Sequence, residues 1–369
     1  MEHSAQNTEH WTLLMNDTEN CSCEEPTVET LSRLVLRDFL LPLVSGMGIM
    51  GNLVAIIVLR CPEMKSTFHQ SLLMLAICDM LFLGLTLHEH FVDVNWSVYI
   101  ILNPHIWNPL KNILMSWETF LIMSISTERF LAICKPLCYG SHKLSHSSRV
   151  HLLTYILPSI VSATVLNIPK FFEITVVFAN RTDETNNLTT IVAENVVTDL
   201  RLDEDYIFYY MHVTKLLVTG LAPAAFLAGI NIAICVKLHE KKIPPYRAHD
   251  KQTCSEDLTS GNLSQKHVGK KPKNSALTLG TIVILYLVCN TPRLSLNMAE
   301  YVLGDTLYQV DYCNCSMAPT WIFILIWTSH LFLVINSSSN FLIYFSVCKR
   351  FKRIFGIKFK IFVRHVKCW

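Results

Sequence analysis

The sequence predicts an all-α membrane protein, a seven-transmembrane helix bundle followed by a short amphipathic C-terminal helix. Of its 369 residues 51% are hydrophobic and only 16% are charged, against roughly 25% charged in soluble domains. The mean hydropathy is +0.34. The apolar residues fall into seven runs of about 20 residues, the length that crosses a bilayer.

The distribution of charge orients these runs. The last 22 residues carry eight Lys and Arg and no acid, whereas the predicted outer segments carry 20 Asp and Glu against four Lys and Arg. Positive residues stay on the cytoplasmic side, so the N-terminus is expected outside, the C-terminus inside and the number of spans odd. We therefore expect a glycosylated extracellular tail (1–33), a seven-helix domain (34–347) and a basic cytoplasmic tail (348–369) in a multi-pass protein of the plasma membrane.

The first two spans, 39–59 and 66–87, contain isolated polar positions. Gly48 and Gly51 allow neighbouring helices to approach closely, and Asn52 is expected to hydrogen-bond between helices. Asp79 is a single carboxylate near mid-bilayer, and such a group is a functional candidate by default. The alternative is a protonated Asp that is merely tolerated.

The third span, 106–133, carries a polar stripe. Lys111 precedes Glu118 by seven residues, and Glu118 precedes Arg129 by eleven. At 100° per residue the three positions fall within about 20° of one another, and 18 residues cover about 27 Å along the axis. Lys111 is thus expected near the outer end, Glu118 at mid-depth and Arg129 at the inner end of a face that lines the bundle core.

The remaining spans are 150–168, which contains Pro158, 207–237, 276–298 and 319–347. In the sixth span four polar residues are spaced three, four and three apart, which places them on one face: Asn290, Arg293, Asn297 and Glu300. In the seventh, Asn336, Asn340 and Tyr344 follow one another at intervals of four. Residues 348–359 alternate Lys or Arg with Phe or Ile, a pattern typical of a helix lying on the inner leaflet.

Glycosylation sequons lie in the segments expected outside the membrane. The acceptor residues are Asn16, Asn20, Asn95, Asn180, Asn187 and Asn314.

Glu128-Arg129-Phe130, followed by Leu-Ala-Ile-Cys-Lys-Pro-Leu, resembles the third-helix signature of rhodopsin-like G-protein-coupled receptors. Other markers of this family, from Gly51-Asn52 to Tyr344, occur along the chain in the expected order. Three strings, at 167–173, 288–294 and 336–344, are similar to invertebrate FMRFamide-type neuropeptide receptors. The resemblance implies an extracellular peptide bound between the outer ends of helices two, three, five, six and seven. It also implies coupling to a heterotrimeric G protein through Glu128, Arg129, Pro292, Asn340 and Tyr344.

The acidic outer surface would attract a cationic peptide, and an amidated RF-type peptide suits it because Arg is always charged and amidation removes the terminal carboxylate. The ligand-binding candidates are Glu89, Lys111, Arg293, Asn297 and Glu300. Two interpretations stay open. Lys111 and Arg293 either contact the ligand directly, or one or both of them neutralise Glu89 or Glu300 within the protein.

The sequence departs from the family pattern in its cysteines. No cysteine lies between Cys138 and Cys235, so the usual disulfide from helix three to the second outer loop is missing. One hypothesis is that Cys21 or Cys23 bridges to Cys313 or Cys315. The alternative is that each of these close pairs is free or modified.

Glu118 is a second departure, because the family usually has a small residue there, close to the helix-two Asp. Two neighbouring carboxylates in low dielectric do not both ionise without a cation. Either they share one proton, or a cation such as sodium binds among Asp79, Glu118, Asn336 and Asn340. No other cofactor is expected.

Other functional classes fit the sequence less well. A transporter predicts internal repeats and broken helices in matching halves, and neither is visible. The histidines are dispersed, and no Ser/His or Cys/His set has the spacing of an enzyme site. The basic run 270–273 is expected to anchor an inner loop, so no nucleic-acid partner is expected. A divergent receptor that binds without coupling remains an alternative, which the Glu128–Arg129 pair disfavours.

Overall fold

The structure is a computed structural model of the chain. It describes residues 27–92, 97–137, 139, 148–183, 188–240, 270–303 and 319–366. Within them, long helices follow one another in chain order, interrupted by a single two-stranded hairpin.

The described residues form eight helices of 18 residues or more. They are α1 (Leu41–Leu59), α2 (Thr67–Phe91), α3 (Asn108–Cys134), α4 (Ser148–Asn167), α5 (Ala222–Glu240), α6 (Lys270–Leu303), α7 (Thr320–Val347) and α8 (Lys349–Val366). Helical turns extend three of them outward. Thr27–Ser32 and the π-helical Arg33–Leu40 precede α1, Ser97–Leu102 and the π-helical Asn103–Trp107 precede α3, and the π-helical Tyr206–Leu221 precedes α5.

Six helical segments among the described residues are long and apolar enough to cross a membrane, and they correspond to every predicted span except the third. The third, α3, has 27 residues, enough for about 40 Å. Its lower apolarity follows from the predicted stripe, Lys111, Glu118 and Arg129, together with Glu128. With α3 the bundle has the seven predicted spans.

The bundle core is apolar and has polar links between helices. Trp117 on α3 donates its indole N–H to Ser159 on α4 at 3.2 Å, and Thr119 on α3 shares a hydrogen bond of 3.0 Å with Tyr286 on α6. The predicted role of Asn52 is confirmed, because its amide donates to the Ser337 carbonyl of α7 at 2.9 Å. Buried polar groups thus fix the positions of neighbouring helices.

Gly48 lies where α1 meets α2 and α7. A Cβ atom there would collide with Ser338 and come within 2.7 Å of Leu83. At Gly51 the nearest neighbour would be Phe341 at 3.1 Å. The predicted close approach at these glycines is therefore present.

The all-α prediction missed a hairpin between α4 and α5. Strand β1 (Ile174–Asp183) pairs antiparallel with β2 (Leu188–Val197), with Ile174 opposite Val197 and Asp183 opposite Leu188. Both strands are rich in Val, Ile and Thr, the residues that favour extended backbone. The hairpin packs against the turns that precede α3.

Several helices are longer than the predicted spans. The helical turns before α1 begin at Thr27, inside the predicted tail 1–33, and α6 runs from Lys270 to Leu303. The terminal helix α8 reaches Val366, beyond the predicted end at 359. Hydropathy marks only the part of a helix that lies in hydrocarbon, so it does not detect these polar extensions.

Candidate functional site

The outer half of the bundle contains two adjoining cavities of about 250 and 290 Å³. They share five lining residues: Phe82, Met115, Arg293, Asn297 and Leu333. The first cavity reaches down to Glu118 and Tyr286, and the second is lined by residues at the outer ends of α2, α3, α6 and α7 and by Lys215. Together they form the outer cavity.

All five predicted ligand-binding residues line this cavity. Glu89 reaches it from α2, Lys111 from α3, and Arg293, Asn297 and Glu300 from α6. Asn290 lies deeper on the same face of α6 and lines the first cavity. The spacing of three, four and three therefore predicted the arrangement of this face correctly.

Two of the five neutralise each other. The Lys111 ammonium and the Glu89 carboxylate form an ion pair between α3 and α2, with side chains 20% and 25% exposed. This pair agrees with the interpretation that Lys111 neutralises Glu89 within the protein.

Arg293 has a different environment. Its Nη1 lies 3.2 Å from the Met115 sulfur, and the structure records no ion pair for it among the described residues. Glu300 and Glu118 are the carboxylates close enough to act on it electrostatically. The expected neutralisation of Glu300 by Arg293 is thus not a direct contact.

Lys215 is a cavity residue that the sequence analysis missed. It comes from the π-helical turns Tyr206–Leu221 and is half-buried in the wall of the second cavity. In a π-helix the hydrogen bonds run from i to i+5, so side chains do not follow the 100° periodicity on which a face assignment depends. A lysine in an otherwise apolar run was the available signal.

At mid-depth the predicted carboxylates bind α7. Glu118 accepts hydrogen bonds from the Asn336 amide and, at 3.3 Å, from the Ser337 hydroxyl. Asp79 accepts a bond of 2.6 Å from the Asn340 amide. The two carboxylates are close enough to act on each other electrostatically, so the structure brings all four predicted residues together.

Oxygen atoms in this cluster suit a hard cation. Asp79 Oδ1 is buried and has no hydrogen-bond partner among the described residues, and carboxylate and amide oxygens are the ligands that such cations prefer. The described residues contain no group of three or more His, Cys, Asp or Glu side chains that could hold a metal. The sodium site stays a prediction.

At the inner end of α3, Arg129 and Glu128 form an ion pair in which Arg129 Nε lies 3.1 Å from Glu128 Oε2. The Arg129 guanidinium also stacks 4.8 Å over the Phe68 ring of α2. Glu128 is only 1% exposed and, besides the two hydrogen bonds from Arg129, accepts one of 2.8 Å from the Tyr139 hydroxyl. Burial, reinforced by the Glu128 carboxylate, raises the pKa of Tyr139 above its ordinary value. The sequence analysis did not identify Tyr139.

The other predicted coupling residues lie on α6 and α7. Pro292 lies inside α6, where it cannot donate the usual backbone hydrogen bond. Tyr344 is buried, its hydroxyl has no partner among the described residues, and its ring lies 5.8 Å from that of Phe351 on α8. The inner end of α7 and the first turn of α8 are thereby packed together.

A buried ion pair anchors the base of the hairpin. Lys170 donates to both carboxylate oxygens of Glu173, at 2.7 and 2.9 Å, and the Tyr206 hydroxyl donates to the same carboxylate at 2.7 Å. Burial alone would raise the pKa of Glu173, but the bonds from Lys170 and Tyr206 outweigh it and hold that pKa below its ordinary value. Thr198 closes the base, since its N–H donates to the Glu173 carbonyl at 3.1 Å.

Some predicted positions fall outside the described residues, namely Cys21, Cys23, Cys313 and Cys315 and the sequons at Asn16, Asn20, Asn95, Asn187 and Asn314. Of the sequons, Asn180 is described, and it lies on β1 opposite Ile191. The disulfide and glycosylation hypotheses stay predictions.

Comparison with known proteins gives consistent matches. A profile described as "7 transmembrane receptor (rhodopsin family)" matches residues 51–344. The FMRFamide receptor of Drosophila melanogaster is 24% identical over 95% of this chain and 58% of its own length. Two Caenorhabditis elegans proteins also match. The FMRFamide peptide receptor frpr-18 is 24% identical over 83% of this chain and 65% of its own length, and the probable G-protein coupled receptor frpr-1 is 21% identical over 87% and 78%. The chain thus spans less than two thirds of the length of the first two relatives.

Proposed function

We propose that this chain, which belongs to the rhodopsin family of seven-transmembrane receptors, binds an extracellular neuropeptide of the amidated RF type and signals through a heterotrimeric G protein. The observation that carries the proposal is the outer cavity, where all five residues predicted to bind a peptide lie together. The relatives named FMRFamide receptors support the same ligand class.

Members of this family are receptors and not enzymes, and the chain is a multi-pass membrane protein. The proposal places it in the plasma membrane with the N-terminus outside, as the basic C-terminal segment favours. The acidic outer segments would then face the medium and raise the association rate of a cationic peptide. Within the cavity, Glu300 is the acid proposed for the ligand's Arg, because Glu89 is already paired with Lys111.

The first two proposed coupling residues, Glu128 and Arg129, lie at the inner end of the bundle. A bound peptide shifts the receptor only by its different affinity for the inactive and active states. Separation of the Glu128–Arg129 pair would free the Arg129 guanidinium, which is 14% exposed in this structure, for a G-protein segment. We expect α6 at Pro292 and α7 at the buried Asn340 and Tyr344 to change conformation between the two states.

For the buried carboxylates we propose that Asp79 and Glu118 share one proton or one sodium ion, because both cannot remain ionised beside each other without a cation. Asp79, Glu118, Asn336 and Asn340 would hold such an ion, which would neutralise the charge between α2, α3 and α7.

The test is a calcium and cyclic-nucleotide assay in cells that express the chain, challenged with a panel of amidated RF-type peptides. We expect a dose-dependent response that Arg129→Ala abolishes while surface expression and labelled-peptide binding persist. Arg37→Ala is a matched control, because Arg37 is an exposed cation at the outer end of the bundle.

Two outcomes separate the alternatives. Silence across the panel despite good surface expression would contradict the ligand class. Saturable peptide binding without any G-protein response would favour a divergent receptor that binds without coupling.

A further inference from the structure

Among the residues that the structure describes, the charges that line the outer cavity do not balance. Five charged groups line the second cavity, namely Glu89, Lys111, Lys215, Arg293 and Glu300. The Glu89–Lys111 pair neutralises itself. Two cations, Lys215 and Arg293, therefore remain with one carboxylate, that of Glu300.

Neither of these cations has an ionic contact within the described part of the chain. Arg293 touches the Met115 sulfur. The Lys215 carbonyl accepts a hydrogen bond from the Thr219 hydroxyl, but no hydrogen bond or ion pair is recorded there for the Lys215 ammonium. The charged groups that act on Lys215 are Lys170, Glu300, Arg293 and Glu173. Lys170 and Glu173 are already bonded to each other, so the imbalance at Lys215 is not removed by them.

The deeper carboxylate makes no ion pair with either cation among the described residues. Glu118 lines the first cavity, and its two oxygens face Asn336 and Ser337 of α7, from which they accept hydrogen bonds. A half-buried cation with no counter-ion is unfavourable in a site of low dielectric. An arriving anion removes that cost and gains charge-assisted hydrogen bonds.

We infer that the ligand of this receptor carries a carboxylate, and that Lys215 and Arg293 bind it. Lys215 lies on the turns that precede α5 and Arg293 lies on α6, so the carboxylate would lie on this side of the outer cavity. The inference rests on the proposed function and extends it. A peptide that fits would carry its Arg toward Glu300 and an acidic group toward Lys215 and Arg293. The carboxylate has two chemical sources, an Asp or Glu side chain within an amidated peptide or the free C-terminus of an unamidated one.

The first test changes only the ligand. The series consists of pairs of amidated RF-type hexapeptides. The two peptides of a pair differ at one position before the Arg, where one carries Asp and the other its neutral isostere Asn. A free-acid peptide that contains Asn is tested beside them. For at least one position we expect the Asp peptide to act at a concentration about tenfold lower than the Asn peptide, the gain of one charge-assisted contact.

The second test removes the proposed partners. In Lys215→Gln and in Arg293→Gln the ratio of the Asp-peptide potency to the Asn-peptide potency should fall to about one, whatever the absolute potency of each variant. Lys215→Arg keeps the charge and should keep the advantage. Arg37→Gln is the matched control, because Arg37 is a cation at the outer end that lines neither cavity, and it should leave the advantage unchanged.

The outcomes separate this inference from the proposed function. Equal potency of the Asp and Asn peptides at every position, with no gain for the free acid, would overturn the carboxylate site and leave the amidated ligand class standing. An Asp advantage that persists in both Gln variants would overturn the assignment to Lys215 and Arg293. A response to the free acid alone, lost in both Gln variants, would support the site and contradict the amidated class. If a Gln variant does not reach the surface, the carboxylate site is tested by the peptide series on the unaltered receptor and on the Lys215→Arg variant.

Discussion

The ion pair at the base of the outer hairpin gives a prediction whose size follows from its geometry. Glu173→Gln keeps the shape of the side chain but removes the charge that binds Lys170. The two side chains are 9% and 6% exposed, so the variant leaves a buried ammonium without its counter-ion. Breaking one partner of such a pair costs about 3 kcal/mol. Since each 1.4 kcal/mol is a factor of ten, opening of the hairpin should become about 100-fold more frequent.

Amide hydrogen exchange of the receptor in lipid nanodiscs measures this opening. Exchange in β1 and β2 should accelerate about 100-fold in Glu173→Gln at neutral pH, with α2 and α7 unchanged. The matched control is Glu194→Gln, because Glu194 is an exposed carboxylate on β2 opposite Val177. The double variant Lys170→Met with Glu173→Leu removes both charges and should recover most of the protection. Unchanged exchange in Glu173→Gln, or equal acceleration in the control, would refute the reasoning.

The same contact predicts a dependence on pH. The folded pKa of Glu173 lies below its ordinary value because Lys170 and Tyr206 bind the ionised form despite its burial. The contribution to stability is therefore complete above the unfolded pKa of about 4.3 and is lost as the pH falls through the lower folded pKa. Below that pH the unaltered receptor should exchange as fast as Glu173→Gln measured at the same pH.

Three further predictions concern the bundle. Gly48→Leu should sharply reduce the amount of folded receptor at the surface, whereas Gly46→Leu should not, because a Cβ at Gly46 meets nothing within 4 Å; equal loss in both would contradict the close-packing argument. If sodium binds at mid-depth, replacing choline chloride by sodium chloride should weaken agonist binding, and Glu118→Gln should remove that dependence; a flat response in the unaltered receptor favours the shared proton. Tyr139→Phe removes a hydrogen bond to Glu128 and should raise basal signalling a few-fold at equal surface expression, so unchanged basal activity would assign the hydroxyl no role in the resting state.

Helical periodicity accounts for the part of the site that the sequence predicts. On α3 and α6 the backbone follows the regular geometry, so a spacing of three, four or seven residues fixes which side chains share a face. That rule correctly predicted that Lys111 faces the bundle interior and that Arg293, Asn297 and Glu300 lie together in one wall of the cavity. The rule needs no knowledge of the partner helix, since an ionisable side chain in a membrane helix avoids lipid.

The parts that the sequence did not predict depend on irregular backbone or on long-range contacts. Lys215 lies on π-helical turns, where the regular periodicity does not hold. Tyr139 contacts Glu128 from a segment beyond the end of α3, and no local sequence pattern predicts that contact. The hairpin was not predicted because hydropathy over about 20 residues identifies membrane helices and not short extramembrane strands, although its Val, Ile and Thr content favours strands.

One continuous helix, α3, carries contacts at three levels of the membrane. Lys111 binds Glu89 at the outer cavity, Glu118 binds Asn336 at mid-depth, and Arg129 packs on Phe68 at the inner end. Helical hydrogen bonding holds these three side chains at fixed angles around a common axis. Any rotation of α3 about that axis therefore displaces all three contacts together and in the same sense. A torque applied by a peptide at the outer cavity would reach the cytoplasmic end directly, without a relay of rearranging side chains between the two.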